Sequence, residues 1–363
     1  MSLCIVHTES SKGWGGQENR TLNELLCMRK LGHRVAVVCQ PEARLGGRAR
    51  EAGIEVFEVP MRGVLDIPAI LSMRRIFKRL CADIVNTHSG RDTQLAGLAA
   101  RTCGRRRPRI VRTRHLALPI TSRVSYSILP DQVVAVSRYV AEYLVSAGVP
   151  RGQVVAVPTG IDLAPYQVDA GGNLRAELGL PADALLIGTV AILRKKKGHA
   201  ELLEAAAQVL ARYPDAHFVF AGDGPQMENL QRRIQELGVS QHVHLLGLRR
   251  DVINVLQSLD LFVLPTYQEA LGTAFMEAGA TSTPAIGTNV DGVPEVVRDG
   301  ETGLLVPAKD ANALAEAILT LLSDPVRRQA MGAAALAYVT AHYSRDVMAQ
   351  GMLAVYEKLL AAR

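Results

Sequence analysis

Two successive series of short β-rich runs, each alternating with helical patterns, constrain the fold of this chain more than any other feature. The first series has runs at 3–7, 34–39, 54–59, 84–87, 109–113 and 133–136, separated by helical stretches at 18–31, 44–52, 68–81, 91–102 and 137–147. The run 154–157 and the turn Pro158-Thr159-Gly160 then lead into an irregular stretch, 163–175. A second series follows, with runs at 185–190, 218–221, 243–247, 261–264, 285–287 and 303–306, and helical stretches at 199–212, 226–237, 272–280 and 310–323. Strands alternating with helices at this spacing predict a parallel sheet covered on both faces. The restart predicts two such sheets, an α/β fold of two doubly wound domains, as a length of 363 residues allows. The expected divisions are 1–165 and 166–344. A last helical stretch within 345–363 either caps the second domain or crosses back to the first. Ligands of such sheets sit at the carboxyl ends of the strands, and two facing sheets would place a substrate cleft between them.

Charge separates the halves. Residues 1–165 carry 24 Lys and Arg against 13 Asp and Glu, whereas the remainder carries 17 against 22. A basic first half suits an anionic partner, such as a membrane surface or a phosphorylated acceptor. The five cysteines, Cys4, Cys27, Cys39, Cys81 and Cys103, include no CxxC pair, which predicts reduced thiols and a cytoplasmic protein without a zinc motif. The N-terminus turns polar after six residues, unlike a signal peptide, and no apolar run is long enough to span a bilayer. Membrane contact, if made, is expected to be peripheral, on the inner face.

The densest chemical signal is Glu269-Ala-Leu-Gly-Thr-Ala-Phe-Met-Glu277, which follows the apolar run 261–264. Gly272 and Thr273 are the expected first residues of a helix, whose free N–H groups and dipole suit a phosphate. Glu269 and Glu277 can accept bidentate hydrogen bonds from sugar hydroxyls. The pair taken alone reads equally well as a surface glutamate and a helix N-terminal glutamate. Arg194-Lys195-Lys196-Lys197-Gly198 directly follows the run 185–190. Cations there can clamp a diphosphate and stabilise a leaving group's charge. Gly13-Trp14-Gly15-Gly16-Gln17-Glu18 lies between the first strand and helix. It is neither GxGxxG nor a P-loop, and a tight turn explains it as well as a ligand does. His88 and His115 each follow a strand, and Gly222 and Asp223 lie in a turn after another.

With these residues together, the sequence resembles the retaining glycosyltransferase family 4. The resemblance covers nearly the whole chain and is densest over 184–307. It rests on Lys197-Gly198, the run AGDGP at 221–225, the Glu-x7-Glu of Glu269 and Glu277, Pro284, Gly292-Val-Pro-Glu295 and Gly303-Leu-Leu-Val-Pro307. The first half adds the glycine loop at 15–16 and the His115 segment. The resemblance implies the GT-B architecture of two Rossmann-like domains facing a central cleft, and retention of anomeric configuration. It implies that His115, Glu269 and Lys197 serve catalysis, and Arg194 is expected to act with them. It implies that Gly15, Gly16, Gly222, Leu271, Gly272, Thr273 and Glu277 bind the donor, with Glu277 on the ribose and Glu269 on the sugar. Glu18, His88 and Arg114 are the expected acceptor-side residues. The family often has an arginine where this chain has Ile192, and Arg194 is expected to supply that charge from a shifted position. Thr159 stands where asparagine is common.

No Asp-x-Asp pair stands where a metal-dependent transferase would carry one, so neither metal nor cofactor is expected, the nucleotide-sugar being a substrate. A uridine donor is the default. The segment 67–81, with Arg74, Arg75, Lys78 and Arg79 at its end, reads either as a sheet-covering helix or as a contact for anionic headgroups. With Arg101, Arg105, Arg106, Arg107 and Arg109 it suits a lipid-linked acceptor such as a lipopolysaccharide core. A sugar-nucleotide epimerase or phosphorylase and a non-catalytic sugar-nucleotide-binding protein remain as alternatives. Nucleic acid is disfavoured, because few aromatics are available to stack on bases.

Overall fold

The computed structural model describes residues 2–120 and 122–362; residues 1 and 363, the outer limits of the expected segments, lie outside them. The chain forms two compact units, residues 1–161 with 345–363, and residues 162–344. The division thus falls slightly before the expected 165/166. The closing helix Arg345–Ala361 belongs to the first unit.

The first unit is built on strands β1 (Cys4–Glu9), β2 (Arg34–Cys39), β3 (Glu55–Glu58), β4 (Ile84–Thr87), β5 (Arg109–Arg114), β6 (Gln132–Ala135) and β7 (Val154–Ala156). All pair in parallel, in the order β3-β2-β1-β4-β5-β6-β7. Both faces are buried, so the central strands are apolar on alternate sides. Along β1, Cys4 and Val6 join the core under the helix Ile67–Leu80, with Met73 and Phe77. Ile5 joins the opposite core, with Leu25 and Met28 of the helix Gly16–Lys30 and Met348, Met352 and Tyr356 of the closing helix. β1 runs two residues beyond its expected end at His7. Thr8 and Glu9 continue the pairing because their polar side chains find partners, Asp92 for Thr8 and Gln17 for Glu9. All five cysteines are unpaired, and burial pushes the thiols of Cys4, Cys27 and Cys39 up to about 11.

The second unit carries β8 (Leu186–Val190), β9 (His217–Ala221), β10 (Val243–Gly247), β11 (Leu261–Leu264), β12 (Ala285–Thr288) and β13 (Gly303–Val306). They are again all parallel, in the order β10-β9-β8-β11-β12-β13. Phe218, Phe220, Leu261 and Val263 meet Leu202 and Leu203 of the helix His199–Leu210 and Leu314, Ile318 and Leu321 of the helix Ala311–Ser323. The helices Val252–Ser258 and Pro325–Tyr343 were not anticipated. The second is alanine-rich: its buried residues Met331, Ala335, Val339 and Tyr343 are interleaved with exposed alanines such as Ala333 and Ala337, so the apolar stripe is faint in sequence.

In both units strand order reverses beside the first strand: β1 lies between β2 and β4, and β8 between β9 and β11. The crevices of doubly wound sheets open at such reversals.

Met352 is fully buried in the first unit's core. Met352→Ala should destabilise that unit by about 2–5 kcal/mol. Chemical denaturation followed by fluorescence of Trp14, the one tryptophan of the chain, reads this unit directly.

Candidate active site

In the second unit the loops after β8 and β11 converge. The chain leaves β8 through residues 191–193, held against the loop after β9 by Ala191 N–H to Ala221 O (3.0 Å) and Leu193 N–H to Asp223 O (3.0 Å). Gly222 is required there, since a Cβ would lie 1.9 Å from Ala191 O. Lys195–Lys197 form one 3-10 turn, closed by Lys197 N–H to Arg194 O at 2.9 Å. Gly198 follows with φ of 73°, and a Cβ on it would lie 1.9 Å from Pro265 O. From the other side, Tyr267 N–H (2.7 Å) and the Thr266 hydroxyl (3.0 Å) both donate to Lys196 O. The two loops are therefore fastened through backbone before side chains are considered.

Their side chains meet as well. Lys197 Nζ forms an ion pair with Glu269 Oε2, both side chains being about one-fifth exposed. The Glu269 backbone is fixed by its N–H to Asp291 Oδ2 (3.0 Å) and its carbonyl to Gly292 N–H (3.0 Å). Gly272, left-handed at φ of 95°, then starts the helix Thr273–Ala280, and Leu271 is buried beneath it. The first N–H groups of that helix have no partner within it, and the dipole adds positive potential. Glu277 lies just over one turn further on. Burial pushes its carboxyl up to about 7, against a hydrogen bond from the Tyr166 hydroxyl that favours ionisation. Two adjacent strand ends thus present a cation, a helix N-terminus and two carboxylates, groups suited to phosphate and to sugar hydroxyls. Arg194, assigned to the same clamp, has an exposed side chain.

In the first unit the site residues gather at the ends of β1, β4 and β5. His7 Nδ1 lies 2.9 Å from His88 Nε2, and His88 Nδ1 lies 3.0 Å from His115 Nε2. The rings of His7 and His88 are stacked, with centroids 5.1 Å apart. Burial holds His88 and His115 well below the ordinary imidazole range, so both are neutral at physiological pH. The His88 backbone N–H donates to Asp92 Oδ2 (2.8 Å), and Asp92 also caps its helix through Ser89. Arg114 lies against the Tyr126 ring and donates to Leu118 O (2.7 Å). In the glycine loop, Glu9 accepts from Ser11 N–H (2.7 Å) and from the Gln17 amide. Glu18 is buried, with its carboxylate beside Gly15. Gly16 has open space where a Cβ would stand.

Sequence reasoning brought out His88 and His115 but not His7, Glu24, Arg20 or Tyr356, all buried in the same network. A signal was present for His7. It shares the face of Ile5 in a strand that neighbours β4, the strand before His88.

Residues 14–165 match the family described as Glycosyltransferase Family 4, and residues 172–337 match Glycosyl transferases group 1. A GDP-mannose-dependent alpha-(1-6)-phosphatidylinositol monomannoside mannosyltransferase of Mycolicibacterium smegmatis is 31% identical over 79% of this chain and 80% of its own length. The chain belongs to glycosyltransferase family 4. Another relative, a UDP-Gal:alpha-D-GlcNAc-diphosphoundecaprenol alpha-1,3-galactosyltransferase of Escherichia coli, is 25% identical over 89% of each protein. The crystal structure of a glycosyltransferase from Rickettsia africae superposes with a TM-score of 0.89 at 21% identity, covering 99% of each chain. This likeness shows the shared GT-B fold of family 4.

The fastening of Gly198 under Pro265 gives a direct test of the loop geometry. Gly198→Ala should cost about 1–3 kcal/mol of stability through its left-handed backbone and the close carbonyl. It should also weaken nucleoside diphosphate binding by displacing Lys197. Thermal unfolding and calorimetric titration measure the two effects.

Proposed function

We propose that this glycosyltransferase is retaining and metal-independent, and moves a sugar from a nucleoside diphosphate to a hydroxyl of a lipid-linked glycan. The observation that carries the reading is the joined Lys197–Glu269 pair at the start of the helix bearing Glu277. On this reading Glu277 accepts from the ribose hydroxyls and Glu269 from the transferred sugar. Lys197 exchanges its carboxylate partner for the diphosphate. The N–H groups from Leu271 to Thr273 face the same charge, and Arg194, on its exposed arm, adds to it. Together they stabilise the departing phosphate without a divalent cation. The anomeric C–O bond to phosphate breaks, the bond to the acceptor oxygen forms on the same face, and the acceptor's proton passes to the leaving phosphate oxygen. His115 contacts the reacting sugar, and Glu18, His88 and Arg114 line the acceptor side.

The base is the open variable. The relative with the higher identity is named for GDP-mannose and the other for UDP-galactose, so guanosine stands beside the expected uridine. Both are named for lipid-linked acceptors, which supports that class, with lipopolysaccharide core as one member.

The first unit carries a surface that suits a membrane-bound acceptor. Leu65 (73% exposed) and Ile67 (65%) lie bare at the start of the helix Ile67–Leu80, with Leu71 exposed on its next turn. Only Ala69, Met73, Phe77 and Leu80 of that helix are buried, so Ile67 and Leu71 lie off its sheet-covering face. Arg75, Lys78 and Arg79 stand exposed further along. The second basic cluster is weaker than its sequence suggests. Arg107 and Arg109 both pair with Asp131, at 2.8 and 3.2 Å, which leaves Arg101, Arg105 and Arg106 as its exposed cations outside any ion pair, Arg101 donating to the Ile128 carbonyl. Apolar side chains beside cations fit the boundary of an anionic bilayer. No helix among the described residues is long and apolar enough to cross one.

Calorimetric titration with UDP, GDP and ADP in EDTA tests the donor site. One diphosphate should bind, and Glu277→Ala should weaken it about ten- to hundredfold, as expected for losing hydrogen bonds to a charged group. No binding of any of the three by folded protein would remove the basis of the reading. Turnover of donor without acceptor would favour an epimerase.

The raised carboxyl of Glu277 gives the pH dependence a sign. The ribose hydroxyls need its ionised form, so affinity should rise as pH is taken upward through about 7. Glu277→Gln should flatten that rise. The free protein, conversely, loses stability from this group as pH climbs from 4.5 to about 7, because the folded state holds the proton more tightly. Cosedimentation with anionic vesicles at low salt tests the surface. Leu65→Asp with Ile67→Asp should abolish it while leaving diphosphate binding intact.

A further inference from the structure

His7, His88 and His115 continue a longer buried string with a direction. At its inner end stands Glu24, fully buried, with Oε1 3.4 Å from His7 Nε2. Burial opposes ionisation of Glu24, but His7, Arg20 and the Tyr356 hydroxyl hold its carboxyl below the usual range. An ionised carboxylate can only accept. The groups around it comply. The Tyr356 hydroxyl donates to Glu24 Oε1, the Asn86 amide donates to Tyr356 Oη at 2.9 Å, and the Thr113 hydroxyl donates to Asn86 Oδ1 at 2.9 Å.

The polarity then propagates. The charge of Glu24 draws a proton of His7 to Nε2, 3.4 Å away and outside hydrogen-bond geometry, and in the singly protonated ring Nδ1 is left as an acceptor. His88 must therefore donate from Nε2, and its Nδ1 accepts in turn. Thr21 gives an independent check. Its hydroxyl hydrogen is committed to Gln17 O (3.0 Å), so its oxygen, 3.4 Å from His88 Nε2, can only accept there. The last ring, His115, donates from Nε2 to His88 Nδ1 at 3.0 Å. Its Nδ1 has no hydrogen-bond partner among the described residues, and the residue is partly exposed.

We infer that Glu24, His7 and His88 are positioning residues that lock His115 in its Nε2–H form, so that Nδ1 presents a fixed lone pair to a hydroxyl of the bound substrate. An isolated neutral imidazole divides between two tautomers and can offer an N–H at either nitrogen. The string removes that choice and fixes the ring plane. A sugar hydroxyl then finds an acceptor that needs no reorganisation in the transition state. The inference rests on the proposed function for its consequence, contact with substrate, but the tautomer does not depend on it.

The test reads the tautomer directly. Long-range proton–nitrogen correlation spectra of the full chain with labelled histidine distinguish Nε2–H, Nδ1–H and doubly protonated rings. His88 and His115 should both show the Nε2–H pattern. An Nδ1–H pattern on His115, which a reversed string or a doubly protonated His7 would produce, overturns the inference whatever the enzyme does. His7→Phe keeps a ring stacked on His88 but removes the acceptor. It should replace the single His115 pattern by a mixture and lower turnover about tenfold or more, with diphosphate affinity unchanged. His7→Asn sets an amide oxygen near the former Nδ1 and should restore both the single pattern and most of the turnover. Equal losses in the two variants, with the His115 pattern untouched, would reduce His7 to packing and sink the idea. If His7→Phe does not fold, the wild-type and His7→Asn spectra decide. Absence of glycosyl transfer by the wild-type chain would overturn the proposed function, while the spectra alone would still settle the string.

Discussion

The reversal of strand order beside β1 and β8 is the constraint on which the chemistry of both units depends. On either side of a reversal the crossover connections run to opposite faces of the sheet, so no helix closes the strand ends between them. In the second unit this brings the loop after β8 next to the loop after β11, although their strands are more than seventy residues apart in sequence. Lys197 and Glu269 meet because of that topology. In the first unit the same reversal puts β4 beside β1 and β5 beyond it, so His7 within β1 comes beside His88 and His115, which follow the ends of β4 and β5.

Burial gives the two arrangements different characters. Lys197 and Glu269 keep about one-fifth of their side-chain surface, so a ligand can take over either partner at modest cost. The network around His7 is almost wholly enclosed: Arg20, Glu24, Asn86 and Tyr356 are all buried. Placing so many polar groups inside a sheet-covering core does little for stability, since well-packed apolar residues of similar volume often hold a fold as well or better. Its residues do, however, restrict one another to a single pattern of donors and acceptors. That restriction sets an orientation, which an apolar core cannot do.

How much was legible in the sequence follows from this physics. The two sheets were readable because Val, Ile and Leu runs bounded by turns recur at regular spacing, and every strand of the structure overlaps an expected one. The Pro325–Tyr343 helix was not, because exposed alanines among Met331, Ala335, Val339 and Tyr343 blur its apolar stripe. The cluster proposed to hold the donor was readable as a cluster because its residues are neighbours in sequence: Leu271, Gly272, Thr273 and Glu277 belong to one loop and helix. The histidine string was only half readable. His88 and His115 stand out after their strands, whereas His7 lies inside β1 and Glu24 and Tyr356 lie on helices far apart in the chain. Only the packing of the helices Gly16–Lys30 and Arg345–Ala361 on one face of the sheet assembles them.

The glycines sharpen the distinction between a motif and the chemistry near it. Gly198, Gly222 and Gly292 are each pressed against a carbonyl, those of Pro265, Ala191 and Ala270, at distances no Cβ could occupy. The short motifs that carry the family resemblance therefore report how three loops interlock. Interlocked loops hold Lys197 and Glu269 in place before a ligand arrives, which spares the ordering cost that mobile loops would add to binding. Gly16 differs. Its backbone is not left-handed, and a Cβ there would meet nothing within 4 Å. Folding of the first unit makes no demand for glycine at that position, which leaves the loop's backbone open to the close approach of a substrate on the reading proposed above.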